Sequence, residues 1–334
     1  MTPADHPPIP APTIGVLLIN LGTPDAAEAG AVRRYLAEFL SDPRVVEIPR
    51  LVWTPILHGI ILRTRPAKSA HAYRQVWRED GSPLAAITRA LAEKLNGRFG
   101  PEVVVDHAMR YGRPAIGERL AALKDRGCER ILLAPLYPQY CAATTATAND
   151  AAFAALAGMR WQPAIRTLPP YHDDPAYIAA LAASVRASLA ALDFEPDAVM
   201  ASFHGMPQRT LTLGDPYHCH CRKTARLLSD ALGRDLVVAF QSRFGRAQWL
   251  EPATDTTLAA LPGQGVKRIA VVAPGFAADC VETLEEIAIR GRETFLAAGG
   301  TDFAYLPCLN DSPEGLGMTE SVIIRELEGW RTVS

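Results

Sequence analysis

Apolar residues along the chain follow two alternating periods. Nearly continuous apolar runs, rich in β-branched residues, predict eight strands: Ile14–Gly22, Val103–Gly112, Arg130–Pro138, Ile165–Pro170, Ala198–Gly205, Leu236–Arg243, Arg268–Phe276 and Asp302–Cys308. Most of the segments between them are rich in Ala and Leu at helical spacing. Strands that are apolar throughout are typical of parallel sheets covered by helices on both faces. The pattern therefore predicts an α/β fold with doubly wound parallel sheets.

The two halves of the chain resemble each other. Three signatures recur in the same order in both halves: Gly22-Thr23-Pro24 and Gly205-Met206-Pro207, Met109–Gly112 and Ser242–Gly245, and Arg130–Pro135 and Arg268–Pro274. Such ordered recurrence is the sequence signature of a duplicated unit. It predicts two similar α/β domains of four strands each, at residues 14–165 and 166–334, preceded by a flexible, proline-rich tail at residues 1–13.

The duplication exposes an insertion in the first half. The first two signatures are 88 positions apart in the first half and 38 in the second, so the first half has 50 extra residues. They fall at about residues 43–83, where the apolar run Leu51–Leu62 precedes the basic residues Arg63, Arg65 and Lys68. An amphipathic segment of this kind can pack into a core, or it can form an exposed lip beside a ligand pocket or a lipid surface. The sequence leaves both alternatives open.

Composition and motif content narrow the classes of function. The 334 residues are 49% hydrophobic and 21% charged, which is ordinary globular composition, and the net charge of −2 argues against nucleic acid as a partner. The N-terminus lacks a secretory signal, which predicts a cytoplasmic protein with reduced cysteines. Phosphate-loop, dinucleotide and serine-hydrolase motifs are missing, so ATP, NAD and acyl-transfer chemistry lose support. Cys219-His220-Cys221 lacks the second ligand pair of a structural zinc site.

Candidate chemistry lies at the predicted strand ends, because ligands of doubly wound sheets bind beyond the carboxyl ends of the strands. His204 ends the fifth predicted strand, just before Gly205 and Pro207. An imidazole with a pKa near ~6.5 can accept protons at neutral pH, which makes His204 a candidate base. A hydrogen-bonded structural histidine fits this position equally well.

A helix predicted after the seventh strand carries three carboxylates. Glu282 and Glu286 are at i and i+4 and share one face of an α-helix, whereas Glu285 is turned partly aside and is expected to be dispensable. With Asp279 just ahead of them, these groups can hold a proton or bind a divalent cation. The alternative is a solvated acidic first turn that complements the helix dipole.

Longer strings, taken together, resemble the ferrochelatase family: Leu17–Pro24, Leu136–Tyr140, Ser202–Pro207, Gly214–Tyr217, Phe240–Gly245, Trp249–Pro252 and Val281–Glu285. The resemblance runs from about Gly15 to Pro313, nearly the whole chain. It implies two Rossmann-like, chelatase-like domains with a porphyrin cleft between them. It also implies a lyase that inserts ferrous iron into protoporphyrin IX, with release of two protons, as the terminal step of haem biosynthesis.

The resemblance implies roles for individual residues. His204 and Glu282 would be catalytic, with His204 either accepting pyrrole protons or contacting iron, and the metal path would comprise His204, Glu282, Glu286 and Asp279. Walls that bend the macrocycle would expose its nitrogen lone pairs, and arginines near the mouth would pair with propionates. The residues expected to bind substrate are Arg110, Tyr111, Tyr137, Trp249, Tyr73, Ser82, Arg63 and Arg65.

Departures from the family pattern and competing functions complete the expectations. Iron is a substrate here, and no resident cofactor or iron–sulfur cluster is expected, because no cysteine follows Cys308 and Ala142 stands at an animal-type cluster position. Cys280 stands where some members carry histidine next to the acidic helix. The alternatives are a coproporphyrin ferrochelatase, a chelatase of another tetrapyrrole, and a non-catalytic porphyrin carrier. Peripheral contact with the inner membrane through the lip, and a homodimer, are left open.

Overall fold

A computed structural model describes residues 13–245 and 247–331, and its eight strands form two parallel sheets of four. The strands are β1 (Thr13–Gly22), β2 (Val103–Tyr111), β3 (Cys128–Pro135), β4 (Ala164–Thr167), β5 (Ala198–His204), β6 (Leu236–Gln241), β7 (Arg268–Val272) and β8 (Asp302–Leu306). The strand orders β2-β1-β3-β4 and β6-β5-β7-β8 are equivalent, as a duplicated Rossmann-like unit requires. The predicted fold class is confirmed. The predicted tail lies outside the described residues, except for Thr13, which begins β1.

Every predicted strand is present, but several end earlier than the apolar pattern suggested. β3 ends at Pro135 and β7 at Val272, because the apolar residues that follow are buried in loops instead of in the sheet. Leu136 lies in a core cluster, and Phe276 packs against the small cluster around Leu84. β4 extends to Thr167, two residues beyond the domain boundary expected at residue 165.

Helices cover both faces of each sheet. The α-helices are α1 (Ala29–Leu40), α2 (Arg50–Ile56), α3 (Leu62–Val76), α4 (Pro83–Asn96), α5 (Ile116–Asp125), α6 (Thr147–Ala157), α7 (Pro175–Ala190), α8 (Gln208–Thr212), α9 (Tyr217–Leu232), α10 (Thr254–Ala260), α11 (Arg292–Ala297) and α12 (Pro313–Glu326). Segments 57–61, 142–146 and 282–291 are π-helical. In β1, Val16 and Leu18 pack into one core cluster and Leu17 and Ile19 into another. A strand buried on both faces explains the continuous apolar run.

Three helices begin at the same local sequence feature. Ser82, Asp174 and Ser312 each precede a proline, and each side-chain oxygen accepts a hydrogen bond from a backbone N–H in the first helical turn. Proline suits the first helical position because its missing N–H has no helical partner there. The starts of α4, α7 and α12 are therefore determined locally.

The predicted insertion forms α2, the π-helical segment 57–61 and α3, which together we call the lip (residues 50–76). Leu57 and Leu62 are buried against Leu40 at the end of α1. Leu51 and Val52 are 92% and 55% exposed. One side of the lip is therefore packed into a core and the other side is exposed, so both alternatives left open by the sequence hold. Among the described residues, no helix is long and apolar enough to cross a membrane.

The last helix joins the two halves of the molecule. α12 follows the second sheet in sequence, but Val322 and Ile323 lie in the core cluster that contains Leu18 of β1. Arg98, just beyond α4, forms an ion pair of 2.6 Å with Glu320 of α12. The two sheets are thus held together by a shared apolar core as well as by the connecting chain.

Gly22, where β1 ends, provides a test of this packing. Its φ of +112° is unfavourable for residues with a side chain, and an added Cβ would lie 1.8 Å from the Tyr111 carbonyl oxygen. We expect Gly22→Ala to lower the free energy of unfolding by more than about 2 kcal/mol in urea denaturation. Gly30→Ala in α1 is the control, because nothing lies within 4 Å of the added methyl group. Equal stability of the two variants would contradict the argument.

Candidate active site

A chain of hydrogen bonds connects His204 to the acidic segment. His204 is the last residue of β5 and pairs in register with Gln241 of β6. The Gln241 side-chain amide donates to the Glu282 carbonyl oxygen at 2.9 Å and accepts from the Ser202 hydroxyl at 2.8 Å. Strands β5 and β6 therefore determine where the acidic segment begins relative to the imidazole.

The His204 imidazole is oriented by its own loop. Nδ1 lies 2.7 Å from the Gly205 carbonyl oxygen. A carbonyl oxygen only accepts hydrogen bonds, so in the neutral form of the ring Nδ1 carries the proton and Nε2 has the lone pair. No residue in the described part of the chain forms a hydrogen bond with Nε2. This nitrogen is available to accept a proton or to contact a metal ion.

The acidic segment differs from the expected α-helix, because residues 282–291 form a π-helix. Glu282 and Glu286 were expected to share a face of an α-helix, but a π-helix repeats with i→i+5 hydrogen bonds, so residues four apart are no longer in register. Turns of this kind occur frequently at functional sites. Ser242 binds the Glu286 carboxylate through its N–H at 2.8 Å and its hydroxyl at 2.5 Å. Burial raises the pKa of Glu286, although the Ser242 hydrogen bonds and the charge of His204 oppose that rise. Glu285 is buried and accepts two hydrogen bonds from Arg290.

Asp279 and Glu282 have different surroundings. Asp279 is buried and its carboxylate accepts hydrogen bonds from Thr283, Tyr305 and Asn310 at 2.9, 2.6 and 2.7 Å. Burial raises the pKa of the neighbouring Cys280 thiol, and the charge of Glu282 and a hydrogen bond to its carboxylate add to the rise. No nitrogen or hydroxyl donor in the described part of the chain binds the Glu282 carboxylate. Within residues 13–245 and 247–331, no group of three or more histidine, cysteine or acidic side chains could hold a metal ion. The open groups of the predicted metal path are thus His204 Nε2 and Glu282.

Tyrosines of the first half face the acidic segment. Tyr73 of the lip belongs to a small apolar cluster with Val32 and Ala70, and Val281, the residue before Glu282, packs against this cluster. The Tyr35 hydroxyl of α1 donates to the Gly22 carbonyl at 3.2 Å. Burial raises the pKa of both tyrosines well above the usual value, and the charge of Glu282 adds to the rise. These neutral aromatic side chains form a wall opposite the acidic segment.

Arg110 and Tyr111, both expected to bind substrate, are engaged with Asp42. Arg110 donates to Asp42 and to the Thr147 carbonyl, and the Tyr111 hydroxyl donates to Asp42 at 2.9 Å. Tyr111 is fully buried, so it supports the tyrosine wall and does not itself reach a substrate. The Tyr137 hydroxyl is buried and has no hydrogen-bond partner among the described residues. Nothing in the sequence indicated Asp42, because the side chains that bind it, Arg110, Tyr111 and Thr147, lie 68 to 105 residues away.

The remaining predicted residues lie around the lip. Arg65 lies over the Phe244 ring, 5.0 Å from its centroid, and Phe244 packs against Trp249 with ring centroids 4.8 Å apart. This stack joins the lip to the second half. Arg63 is exposed. Ser82 is 3% exposed and its hydroxyl oxygen caps α4, so here it has a structural role.

Comparison with known proteins establishes the family. The family model described as Ferrochelatase matches residues 13–327. The chain belongs to the ferrochelatase family. This family member is 56% identical to the ferrochelatase of Agrobacterium fabrum strain C58, over 98% of this chain and 97% of that protein. It is 58% identical to the ferrochelatase of Rhizobium meliloti strain 1021, over 98% of both chains. The predicted family and enzyme class are confirmed.

Solved structures agree with the fold of this ferrochelatase-family chain. SirB from Bacillus subtilis with Fe3+ matches with a TM-score of 0.58 and 12% identity, over 95% of this chain and 97% of that one. The sirohydrochlorin chelatase SirB from Bacillus subtilis subspecies spizizenii, in complex with cobalt, matches with a TM-score of 0.56 and 12% identity, over 96% and 98%. The predicted chelatase-like fold of two Rossmann-like domains is confirmed.

Asp42 gives a pH-dependent prediction. Burial alone would raise its pKa, but the hydrogen bonds from Thr147, Arg44 and Tyr111 and the charge of Arg110 together lower it. Because the folded pKa is below the unfolded value near ~4, its stabilisation is present above about pH 4 and is lost as the pH falls through the folded pKa. We expect Asp42→Asn to lower the free energy of unfolding by about 2 kcal/mol at neutral pH.

Urea denaturation over a pH series checks this expectation. The difference between the wild type and Asp42→Asn should narrow below about pH 4, where the wild-type carboxylate becomes protonated. Asp80→Asn is the matched control, since its ion pair with Arg78 is exposed and worth little. A difference that widens in acid would contradict the assignment of a depressed pKa to Asp42.

Proposed function

We propose that this chain inserts ferrous iron into protoporphyrin IX and releases two protons, as the terminal step of haem biosynthesis. The observation that carries this proposal is the pair of open bases, His204 Nε2 and the Glu282 carboxylate, beside an aromatic wall. Each pyrrole N–H that loses its proton needs an acceptor at that face of the ring. Two acceptors on adjoining elements match the two protons that leave.

The reaction follows from this arrangement. The macrocycle would lie between the wall with Tyr35 and Tyr73 and the carboxyl edge of the second sheet. Bending of the macrocycle turns the nitrogen lone pairs out of its plane, towards the entering ion. One pyrrole proton goes to His204 Nε2 and the other to Glu282 as Fe2+ enters, so the charge of the ring and its metal balances.

Glu286 and Asp279 have separate parts in this proposal. Burial raises the pKa of Glu286, and the charge of His204 acts on it in the opposite direction; Glu286 would be the next group to take up a proton from His204. Asp279 accepts hydrogen bonds from three protein donors and so stabilises the acidic segment. Iron would contact the deprotonated His204 and Glu282 before it enters the ring, and the two groups would take up the pyrrole protons only after they release it; Glu286 lies next along this proposed path.

Substrate preference and surroundings belong to the same proposal. The exposed apolar lip favours protoporphyrin over the more carboxylated coproporphyrin, and the exposed Arg63 of the lip would pair with a propionate. We infer that the enzyme is cytoplasmic. We also infer that it holds no iron–sulfur cluster, because its six cysteines are scattered through the fold.

His204→Ala tests the proposed function. Loss of a positioned base should lower the rate of ferrous insertion by about 100-fold or more, while porphyrin binding is retained because the wall is intact. Anaerobic insertion should be measured with protoporphyrin and coproporphyrin side by side, and binding by porphyrin fluorescence. His107→Ala on β2 is the control. Full insertion activity in His204→Ala would refute the role of His204. A wild-type protein that binds porphyrin but inserts no iron would favour a porphyrin carrier.

We also propose that the lip touches a membrane surface. Leu51, Val52, Ile56 and Ile60 are 92%, 55%, 36% and 57% exposed and lie within ten residues of one another. Arg50 and Arg63 flank this apolar patch and suit anionic headgroups. Such contact would place the cleft beside a membrane that dissolves an apolar porphyrin.

Vesicle sedimentation tests the membrane proposal. The double variant Leu51→Ser, Val52→Ser should bind vesicles of equal parts phosphatidylcholine and phosphatidylglycerol at least about tenfold more weakly, because each buried apolar side chain contributes roughly 1.5–3 kcal/mol. Phe153→Ser, at a 49% exposed position on α6, is the control. Equal vesicle binding by the wild type, the double variant and Phe153→Ser would show that the lip does not contact the membrane.

A further inference from the structure

Two non-glycine residues in the described part of the chain adopt positive φ, and both bind a carboxylate of the acidic set. Asn310, with φ of 52°, binds Asp279, and Ser242, with φ of 66°, binds Glu286. Asparagine tolerates the left-handed region because its short side chain forms local hydrogen bonds. Serine is less suited to it. Backbone strain of this kind persists where the surroundings require it, frequently at functional sites.

The conformation of Ser242 has a direct geometric effect. Its N–H donates to Glu286 Oε1 at 2.8 Å and its hydroxyl to Oε2 at 2.5 Å. One residue therefore binds both carboxylate oxygens and fixes the plane of the group. Gln241, the preceding residue, binds the Glu282 carbonyl, so two consecutive residues at the end of β6 hold one turn of the π-helix. The carboxylate of Glu282 is left open while that of Glu286 is held.

We propose that Ser242 is a positioning residue for metal insertion, which fixes the Glu286 carboxylate beside His204 and Glu282. The inference rests on the proposed function, in which Glu286 continues the path from the two open bases. His204 and Arg290 both lie close enough to act electrostatically on Glu286. An unheld carboxylate could turn towards either of them and leave the path.

Substitution by glycine separates this role from a structural one. Glycine adopts positive φ freely and keeps the N–H donor, so Ser242→Gly loses only the hydroxyl and should be at least as stable as the wild type. We expect kcat for ferrous insertion to fall about tenfold, as for the loss of one hydrogen bond to a charged group. KM for protoporphyrin should stay within about twofold, because Ser242 acts through Glu286 and not on the porphyrin.

Two further variants complete the comparison. Ser242→Ala keeps the backbone strain and loses the hydroxyl, so we expect the same loss of kcat as in Ser242→Gly, together with a lower Tm than that of Ser242→Gly. Ser229→Ala removes a hydroxyl that donates to the Arg234 carbonyl at 2.7 Å, away from the cleft, and should leave kcat and KM unchanged. A structural role would instead make activity follow stability, which predicts a fully active Ser242→Gly.

A double-mutant cycle with Glu286→Ala shows which partner transmits the effect. Without the carboxylate, Ser242→Gly should change kcat by less than about twofold. A tenfold loss that persists in the Glu286→Ala background would overturn the inference, as would a fully active Ser242→Gly; the effect of His204→Ala would then still support iron insertion. A Glu286→Ala variant with wild-type kcat would overturn the inference and also remove Glu286 from the path.

Discussion

The hydrogen bond from the Gln241 side chain to the Glu282 carbonyl is the contact on which the site depends. It joins the end of β6 to the start of the π-helix, and its donor is held in turn by Ser202 of β5. Because β5 also carries His204, the imidazole and the acidic segment share one rigid support. Precise placement of reacting groups requires such support from regular elements.

The site divides its acidic groups into held and open ones. Asp279 and Glu286 are bound by neighbouring side chains, and Glu285 pairs with Arg290. The Glu282 carboxylate, in contrast, is bound by no nitrogen or hydroxyl donor of the described residues and has only the Cys280 thiol beside it. The held carboxylates define the shape and charge of the proposed iron path. An open carboxylate and an open imidazole nitrogen are free to exchange protons with a substrate.

The proposed porphyrin site depends on contacts between the two halves of the duplicated fold. The lip helix α3 places Tyr73 against Val281, and Arg65 lies over Phe244 of the second half. At the other end, α12 shares a core cluster with β1. These contacts bring an aromatic wall from one copy opposite the acidic segment of the other, which neither copy could form alone.

The sequence by itself determined the eight strands, the duplication, the insertion and the family, because apolar periodicity and ordered strings are local properties of the chain. It also made His204 and Glu282 the candidate bases, which remains a prediction. Only the tertiary structure decided which side chains are available: Tyr111 is fully buried, Ser82 caps a helix, and residues 282–291 are π-helical. Asp42 and Ser242 were missed because their partners lie far along the chain. Hydrogen-bond partners of that kind are chosen only when distant segments pack together.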